Sequence, residues 1–511
     1  MTKTLLLALA AIAAACALHS GDAAHAHIKI HIQQLHAPAD SPPPQHERKH
    51  VFRVHTRKSL FDRAARHVAG QRGVALDVWS VRVVEGSGRS DTSDPLVDAK
   101  VYATPASMKA FARGGAAPHA KVHGPSKSVT IESSNQSNSD WMLDIVEEDK
   151  ATAELIKADR AEVAACLNRT TGFLAQLQQH AAGGSKYTDS AFFECFRPQD
   201  QVFAFLDALA AQNSAVLTKL PTISHTFEGR AIPAYRLSTS TPSAAAASRP
   251  KKSIYVQSLI HAREWQAGSS TFYTIAKLVD ELRRGAAHAT ALLDEFDWYF
   301  VPIVNIDGYI YSGTVDRYWR TNRRIVDAKG MPIAGVDLNR NFGPDELFNL
   351  KPELVDEETY PGEKALSEPS TAGVFRFVSG LENLAGVVDV HTFGGDVLRP
   401  FSNRAGEAPA PFGPLLKKLA DGVSAALTKH AAQPYSSKTG AGLYEAYGCF
   451  DDSVFLAFNF TVPTLTLEVE GDDFIVPQSS IRPVGRSIYH GLLRFAEEAA
   501  SYRKALGRAA Q

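Results

Sequence analysis

Residues 254–265 read IYVQSLIHAREW: an apolar run from Ile254 to Leu259, then His261 and, three positions on, Glu264. A run apolar on both faces marks a strand buried inside a covered sheet. Three more such runs follow, Trp298 to Val304, Gly386 to Val390 and Leu465 to Leu467, with helical patterns between them. That alternation defines an α/β domain whose central sheet is covered by helices. His261 and His391, the latter in GVVDVHTF (386–393), follow the carboxyl ends of two of these strands, and Glu468 follows a third. Open α/β sheets build their sites at those ends. One helical turn or tight bend points His261 and Glu264 to the same side. Two His and one Glu leave a fourth tetrahedral position open, the ligand count of catalytic rather than structural zinc.

Upstream, residues 51–131 alternate short strands with two amphipathic helices in the order β-α-β-β-α-β, a small α+β unit. It holds no cluster of His, Cys or carboxylates at ligand spacing. Residues 141–185 read as helical, with Leu155 and Ile156, then Phe173 and Leu177, as apolar positions, and end in Gly183-Gly184. The organisation expected is a signal peptide over 1–17, a His/Pro-rich disordered leader over 18–50, a unit over 51–140, a connector over 141–186 and the α/β domain over 187–505. The apolar stretch Leu5 to Leu18 is too short for a membrane span, and A-x-A around Cys16 marks cleavage after Ala17. Acylation of Cys16 is the weaker alternative. Histidines of the leader could pick up metal loosely, though a solvated linker is the simpler reading.

Across 511 residues, Lys+Arg of 54 against Asp+Glu of 55 excludes any overall electrostatic drive towards nucleic acid or an anionic membrane. Removal of the signal leaves Cys166, Cys195 and Cys449. Either Cys166 pairs with Cys195, or all three stay buried and reduced. Sequons at Asn135, Asn168 and Asn459 fit an export route.

The motifs HAREW (261–265), RYWRTNRR (317–324), GVDLNRNF (335–342), VHTF (390–393), LYEAYG (443–448) and TLTLEVE (464–470) stand in this order. Together they closely resemble the zinc metallocarboxypeptidases of the pancreatic A/B type, over about residues 190–500, and the 51–131 unit resembles their activation prodomain. The resemblance implies an α/β/α fold with a central mixed sheet, preceded by a ferredoxin-like prodomain. It implies one Zn²⁺ on His261, Glu264 and His391, Glu468 as general base, Arg320 stabilising the oxyanion, and Asn339 with Arg340 clamping the substrate's terminal carboxylate. Tyr444 caps the bound residue, Arg263 and Arg317 line the approach, and Asp337 orients a zinc-bound imidazole. An arginine fork suits a carboxylate because it binds it bidentately.

Substrates implied are peptide and protein C-termini. The product is a secreted, monomeric zymogen with no nucleic-acid partner and no membrane span, opened by an activating protease at Lys157, Arg160, Arg169 or Lys186. Counting forward from Tyr444, Asp451 falls at the family's specificity position, which implies preference for C-terminal Lys or Arg. Two extra residues between Asp452 and Glu468 leave open a shifted register in which Phe450 lines the pocket and large apolar residues are preferred. Phe393 stands where relatives often carry Tyr. Rival readings are a non-catalytic peptide-binding relative and a zinc amidohydrolase.

Overall fold

A computed structural model describes residues 50–57, 76–83, 96–103, 129–130, 144–147, 149–183, 185–239, 251–328, 331–345, 347–348 and 358–509, with single helical positions at 61, 63, 64, 108, 110 and 111. The signal peptide, Cys16, nearly all of the leader and the Asn135 sequon lie outside these residues.

The first sheet is five-stranded, in the order β2-β3-β1-β5-β4. Its strands are β1 (His50–Arg57), β2 (Leu76–Val83), β3 (Leu96–Ala103), β4 (Val129–Thr130) and β5 (Asp144–Glu147), each antiparallel to its neighbour. Alternate residues Phe52 and Val54 of β1, and Val97, Ala99, Val101 and Ala103 of β3, are buried. Period-two burial puts one face of the sheet on a core, to which the helical positions Phe61 and Phe111 add an aromatic pair 5.4 Å apart. Strand β5 departs from the helical reading of 141–185. The β-branched pair Ile145-Val146 joins the free edge of β1 instead.

Two helices follow, α1 (Asp149–Arg169) and α2 (Phe173–Gly183). They behave differently. Leu155 of α1 is exposed, whereas Phe173 and Leu177 of α2 are buried in the core of the larger domain, where Phe173 lies 5.6 Å from Phe192. A disulfide joins Cys166 of α1 to Cys195, resolving the open alternative in favour of the pairing, and Cys449 is a buried free thiol.

Helix α3 (Gln199–Gln212) opens the larger domain, whose mixed sheet has eight strands in the order β14-β13-β15-β12-β8-β9-β7-β6. These are β6 (Leu217–His225), β7 (Ala231–Leu237), β8 (Lys252–Ser258), β9 (Phe296–Val301), β12 (Leu384–Thr392), β13 (Asp396–Arg399), β14 (Ser436–Thr439) and β15 (Thr464–Val469); a separate hairpin is formed by β10 (Ile325–Ala328) and β11 (Met331–Ala334). Strands β15, β12, β8 and β9 run parallel. The remaining helices are α4 (Trp265–Arg283), α5 (Ala287–Glu295), α6 (Ile306–Thr314), α7 (Pro369–Ser379), α8 (Phe412–His430), α9 (Gly440–Leu443), α10 (Phe450–Ala457) and α11 (Ile481–Ala509).

Both faces of the sheet are covered, as the strand parity shows. Gly386 of β12 lies against Phe495 and Ala499 of α11. Its neighbour Val387 pairs with Tyr255, whose ring meets Phe377 of α7 and Phe450 of α10 on the other side. A β-carbon at Gly386 would sit 2.6 Å from the Phe495 ring and 3.3 Å from Ala499. Neither can step aside, because the long helix behind them is packed along its length. Gly386→Ala is therefore expected to destabilise the chain by about 1–3 kcal/mol through overpacking, read as a lower urea midpoint; an unchanged midpoint would show that α11 has slack against β12.

Candidate active site

Strand β8 stops at Ser258, and Leu259 turns the chain with a left-handed φ of 55°. Glu264 is then the N-cap residue of α4. His261 and Glu264 thus share one tight bend, with His261 Nδ1 2.7 Å from Glu264 Oε1. On the next two strands of the parallel ladder, β12 and β15, His391 and Glu468 are direct register partners. His391 Nδ1 comes within 3.1 Å of His261 Nδ1 and 3.1 Å of Glu264 Oε2. Among the described residues, His261, Glu264 and His391 are the one group whose ligand atoms converge in this way, all within 4.8 Å of one another and all buried.

The far sides of both imidazoles meet carboxylates. His261 Nε2 lies 3.2 Å from Asp337 Oδ1, and His391 Nε2 lies 3.0 Å from Asp389 Oδ2. In His261 an Nε2–H held by Asp337 leaves Nδ1 with its lone pair facing the common point, while Asp389 meets His391 Nε2 as a close ionic contact rather than an aligned hydrogen bond. Asp337 was expected from its motif; Asp389 was not. Its signal in the sequence is parity, since VDVH places Asp389 two residues before His391 and so on the same face of the strand.

Charge in the centre is one-sided. Glu264, Asp337 and Asp389 are buried, each within 3.2 Å of an imidazole nitrogen, and of nearby cations Arg320 pairs with Asp337 at 2.9 Å. Burial opposes ionisation of Asp337, but Arg320 and then His261 hold its carboxyl well below the usual range. Burial likewise opposes charge on Glu264, and His261 and His391 overcome it, keeping that carboxyl low. Burial disfavours a charged His391, yet Asp389 and then Glu264 raise it well above the ordinary imidazole value. Excess buried negative charge around two imidazoles and a carboxylate fits a divalent cation, and this donor set is that of zinc with an open position. Glu468 stands apart from these ion pairs. Burial pushes its carboxyl up to about 8, with His391 opposing and Glu264 adding to the rise. A bound cation would pull it down.

Asn339, Arg340, Tyr444, Cys449, Asp451 and Glu468 line a small cavity of about 40 Å³ with the two histidines. Arg340 is buried and donates to the Asn339 carbonyl at 2.8 Å and to the Tyr444 hydroxyl at 3.2 Å. Among the described residues no carboxylate lies within ion-pair distance of it. Asn339 Oδ1 accepts the Phe450 N–H at 2.9 Å, fixing the loop that follows. The register in that loop is now plain. Phe450 is fully buried against Tyr255 and Phe342, Asp452 accepts the Ser402 N–H at 2.8 Å, and Asp451 lines the cavity. Burial pushes the Asp451 carboxyl up to about 6.

Arg263, Arg317 and Arg320 are not among the residues that line this cavity. Arg263 is fully buried, donates to the Tyr318 carbonyl and stacks 4.4 Å from the Phe474 ring. Arg317 is buried under α1, with Nε 3.2 Å from Asp159 and Nη2 donating to the Phe474 carbonyl at 2.7 Å. Helix α1 thus covers Arg317 through Asp159. Arg320 is 7% exposed and held by Asp337 beside the cavity, which it does not line.

The sequence family described as zinc carboxypeptidase matches residues 202–490. An inactive metallocarboxypeptidase of Talaromyces marneffei is 26% identical over 62% of this chain and 56% of its own length, so the chain spans little more than half of that relative. Carboxypeptidase A1 of Rattus norvegicus is 28% identical over 60% of this chain and 70% of its own. Among solved structures, the carboxypeptidase A of Helicoverpa armigera superposes with a TM-score of 0.63 at 24% identity, covering 88% of this chain and 98% of that one. Because second-layer carboxylates orient metal ligands, Asp389→Asn is expected to weaken zinc binding about 10–100-fold, measured by competition with a chelating dye. Unaltered affinity would reduce Asp389 to a packing role.

Proposed function

The chain belongs to the zinc carboxypeptidase family, and we propose that it is an active, secreted enzyme of the A/B type, made as a zymogen, that removes C-terminal residues from peptides and proteins with preference for Lys or Arg. The names of its relatives divide between inactive metallocarboxypeptidase and carboxypeptidase A1 at near-equal identity. Support for catalysis therefore comes from the site itself. One observation carries the reading: the two histidines of a complete ligand set, the carboxyl of Glu468 and a buried Arg340 that has no carboxylate partner among the described residues face one cavity.

Zinc held by His261, Glu264 and His391 would polarise a carbonyl and make a water more acidic. Glu468, the ladder partner of His391, would take a proton from the attacking water and return one to the departing amine. Arg340, with Asn339 at its side, can grip the terminal carboxylate, and Tyr444 at the exposed rim can close over the bound residue. Arg320 is the proposed partner of the developing oxyanion, steadied by Asp337. Among the described residues no cation pairs with the buried Asp451 carboxylate, which favours a ligand that brings one, so Asp451 selects a basic side chain.

Latency is supported by what covers the approach. Ile156 of α1 packs on Tyr318, Phe393, Phe474 and Ile475, Asp159 holds Arg317, and Lys100 of β3 reaches Asp473 at 3.0 Å. The export signal over 1–17 supports secretion.

Glu468→Gln is expected to retain zinc and lose about 10²–10⁴-fold in kcat; turnover at the wild-type rate would refute its role as base. With processed enzyme and peptides ending in Arg, Lys, Phe or Leu, kcat/KM should be highest for the basic ends, and Asp451→Ile should reverse the order. A wild-type preference for Phe or Leu would instead assign the pocket to apolar residues.

A further inference from the structure

Among the basic residues that could be cut to release the covering segment, Arg169 is singled out by its setting. Lys157 and Arg160 lie within α1 on either side of the buried Asp159, and a helix must open locally before a protease can take it. Lys186 follows α2, whose Phe173 and Leu177 belong to the large core. Arg169 is exposed, is the last residue of α1 and precedes the turn at 170–172. Cleavage there separates α1 from α2 and leaves the core whole.

Such a cut does not free α1. Cys166 lies three residues upstream of Arg169 and is bonded to Cys195 of the large domain. The bond is shielded: both cysteines are buried, and Thr170 covers them. The Thr170 N–H and hydroxyl both donate to the Cys166 carbonyl, at 3.1 and 2.8 Å, and its Oγ1 lies 3.3 Å from Cys195 Sγ. Thr170 is the first residue beyond the Arg169 peptide bond. Cleavage therefore detaches the residue that covers the disulfide from the helix that carries Cys166.

We propose that the Cys166–Cys195 disulfide is a covalent latch on the covering helix, and that activation takes two ordered steps: a cut after Arg169 that exposes the bond, then its reduction. The proposal rests on the zymogen reading above and adds a regulator to it. Until reduction, the cut piece is held at a high effective concentration, so that Asp159 finds Arg317 and Ile156 its apolar cluster again after every opening. Reduction requires a dithiol of the thioredoxin type or a small dithiol. Two electrons and two protons pass from it to the Cys166 and Cys195 sulfurs, which become thiols, while the dithiol closes to its own disulfide.

The test uses the full chain, a trypsin-type protease and dithiothreitol, which is removed by gel filtration before assay in zinc-containing buffer. Alkylation of Cys166 and Cys195, read by mass, should proceed on the order of 10²-fold faster in the cut chain than in the intact one. Gel filtration of the cut protein should show one species before reduction and a separate fragment ending at Arg169 after it. Peptide hydrolysis should rise on the order of 10²-fold only on reduction. In Cys166→Ser/Cys195→Ser, cutting alone should release the fragment and activity.

A cut wild-type chain as active before reduction as after it overturns the latch, and so does a first cut at Lys157 or Arg160 that frees the fragment without reductant. If no form hydrolyses any peptide, the enzymatic reading fails, while fragment release on reduction still decides the latch. Should the double variant not fold, the alkylation rates and the fragment release of the wild-type chain carry the decision alone.

Discussion

Everything at the centre of this molecule follows from one electrostatic constraint: carboxylates buried around two imidazoles need a compensating cation. Glu264, Asp337 and Asp389 are almost wholly shielded from water, and Arg320 balances only part of their charge. Uncompensated, such a cluster would oppose folding by several kcal/mol per ion. The imidazoles turn their Nδ1 atoms inward because Asp337 and Asp389 hold the opposite edges. Orientation, charge and ligand type thus derive from the same few contacts, and the bend at Leu259 and the end of β12 exist in the places that deliver them.

Much of this was legible beforehand. The apolar runs before His261, His391 and Glu468 located strand ends without any knowledge of topology, and residue type then named the ligands. What escaped had physical reasons. Asp389 looked like an ordinary interruption of an apolar strand, because a parity argument has force only once the strand and its neighbours are known. The run at 144–147 was hidden inside a long helical pattern, and strand pairing with β1 decided it. Gly183-Gly184 looked like a domain border, yet Phe173 and Leu177 upstream of it are core residues. Whether Cys166 and Cys195 met depended on a distance that spacing does not encode.

The surroundings of Arg263 and Arg317 escaped for another reason. Their motif fixes them near the cleft, but the surroundings of a guanidinium depend on what is packed over it. Here α1 brings Asp159 to Arg317, and Phe474 lies under Arg263. The loop after Tyr444 illustrates the converse. Two additional residues threatened the register, and the Asn339 contact to the Phe450 N–H together with the Asp452 contacts to the Ser402 N–H anchor it at both sides of Asp451.

The ladder between β12 and β15 sets His391 directly beside Glu468. Neighbouring strands are held about 4.8 Å apart by their backbone hydrogen bonds, whatever the side chains. The spacing between His391 and Glu468 is therefore a property of the peptide backbone, insulated from changes in the surrounding loops. Lengthening the stretch between Asp452 and Glu468 alters the walls of the cavity without touching that spacing. A lineage of such chains is free to reshape the cavity while this pair of side chains keeps its separation, since wall and spacing are written in separate parts of the polymer.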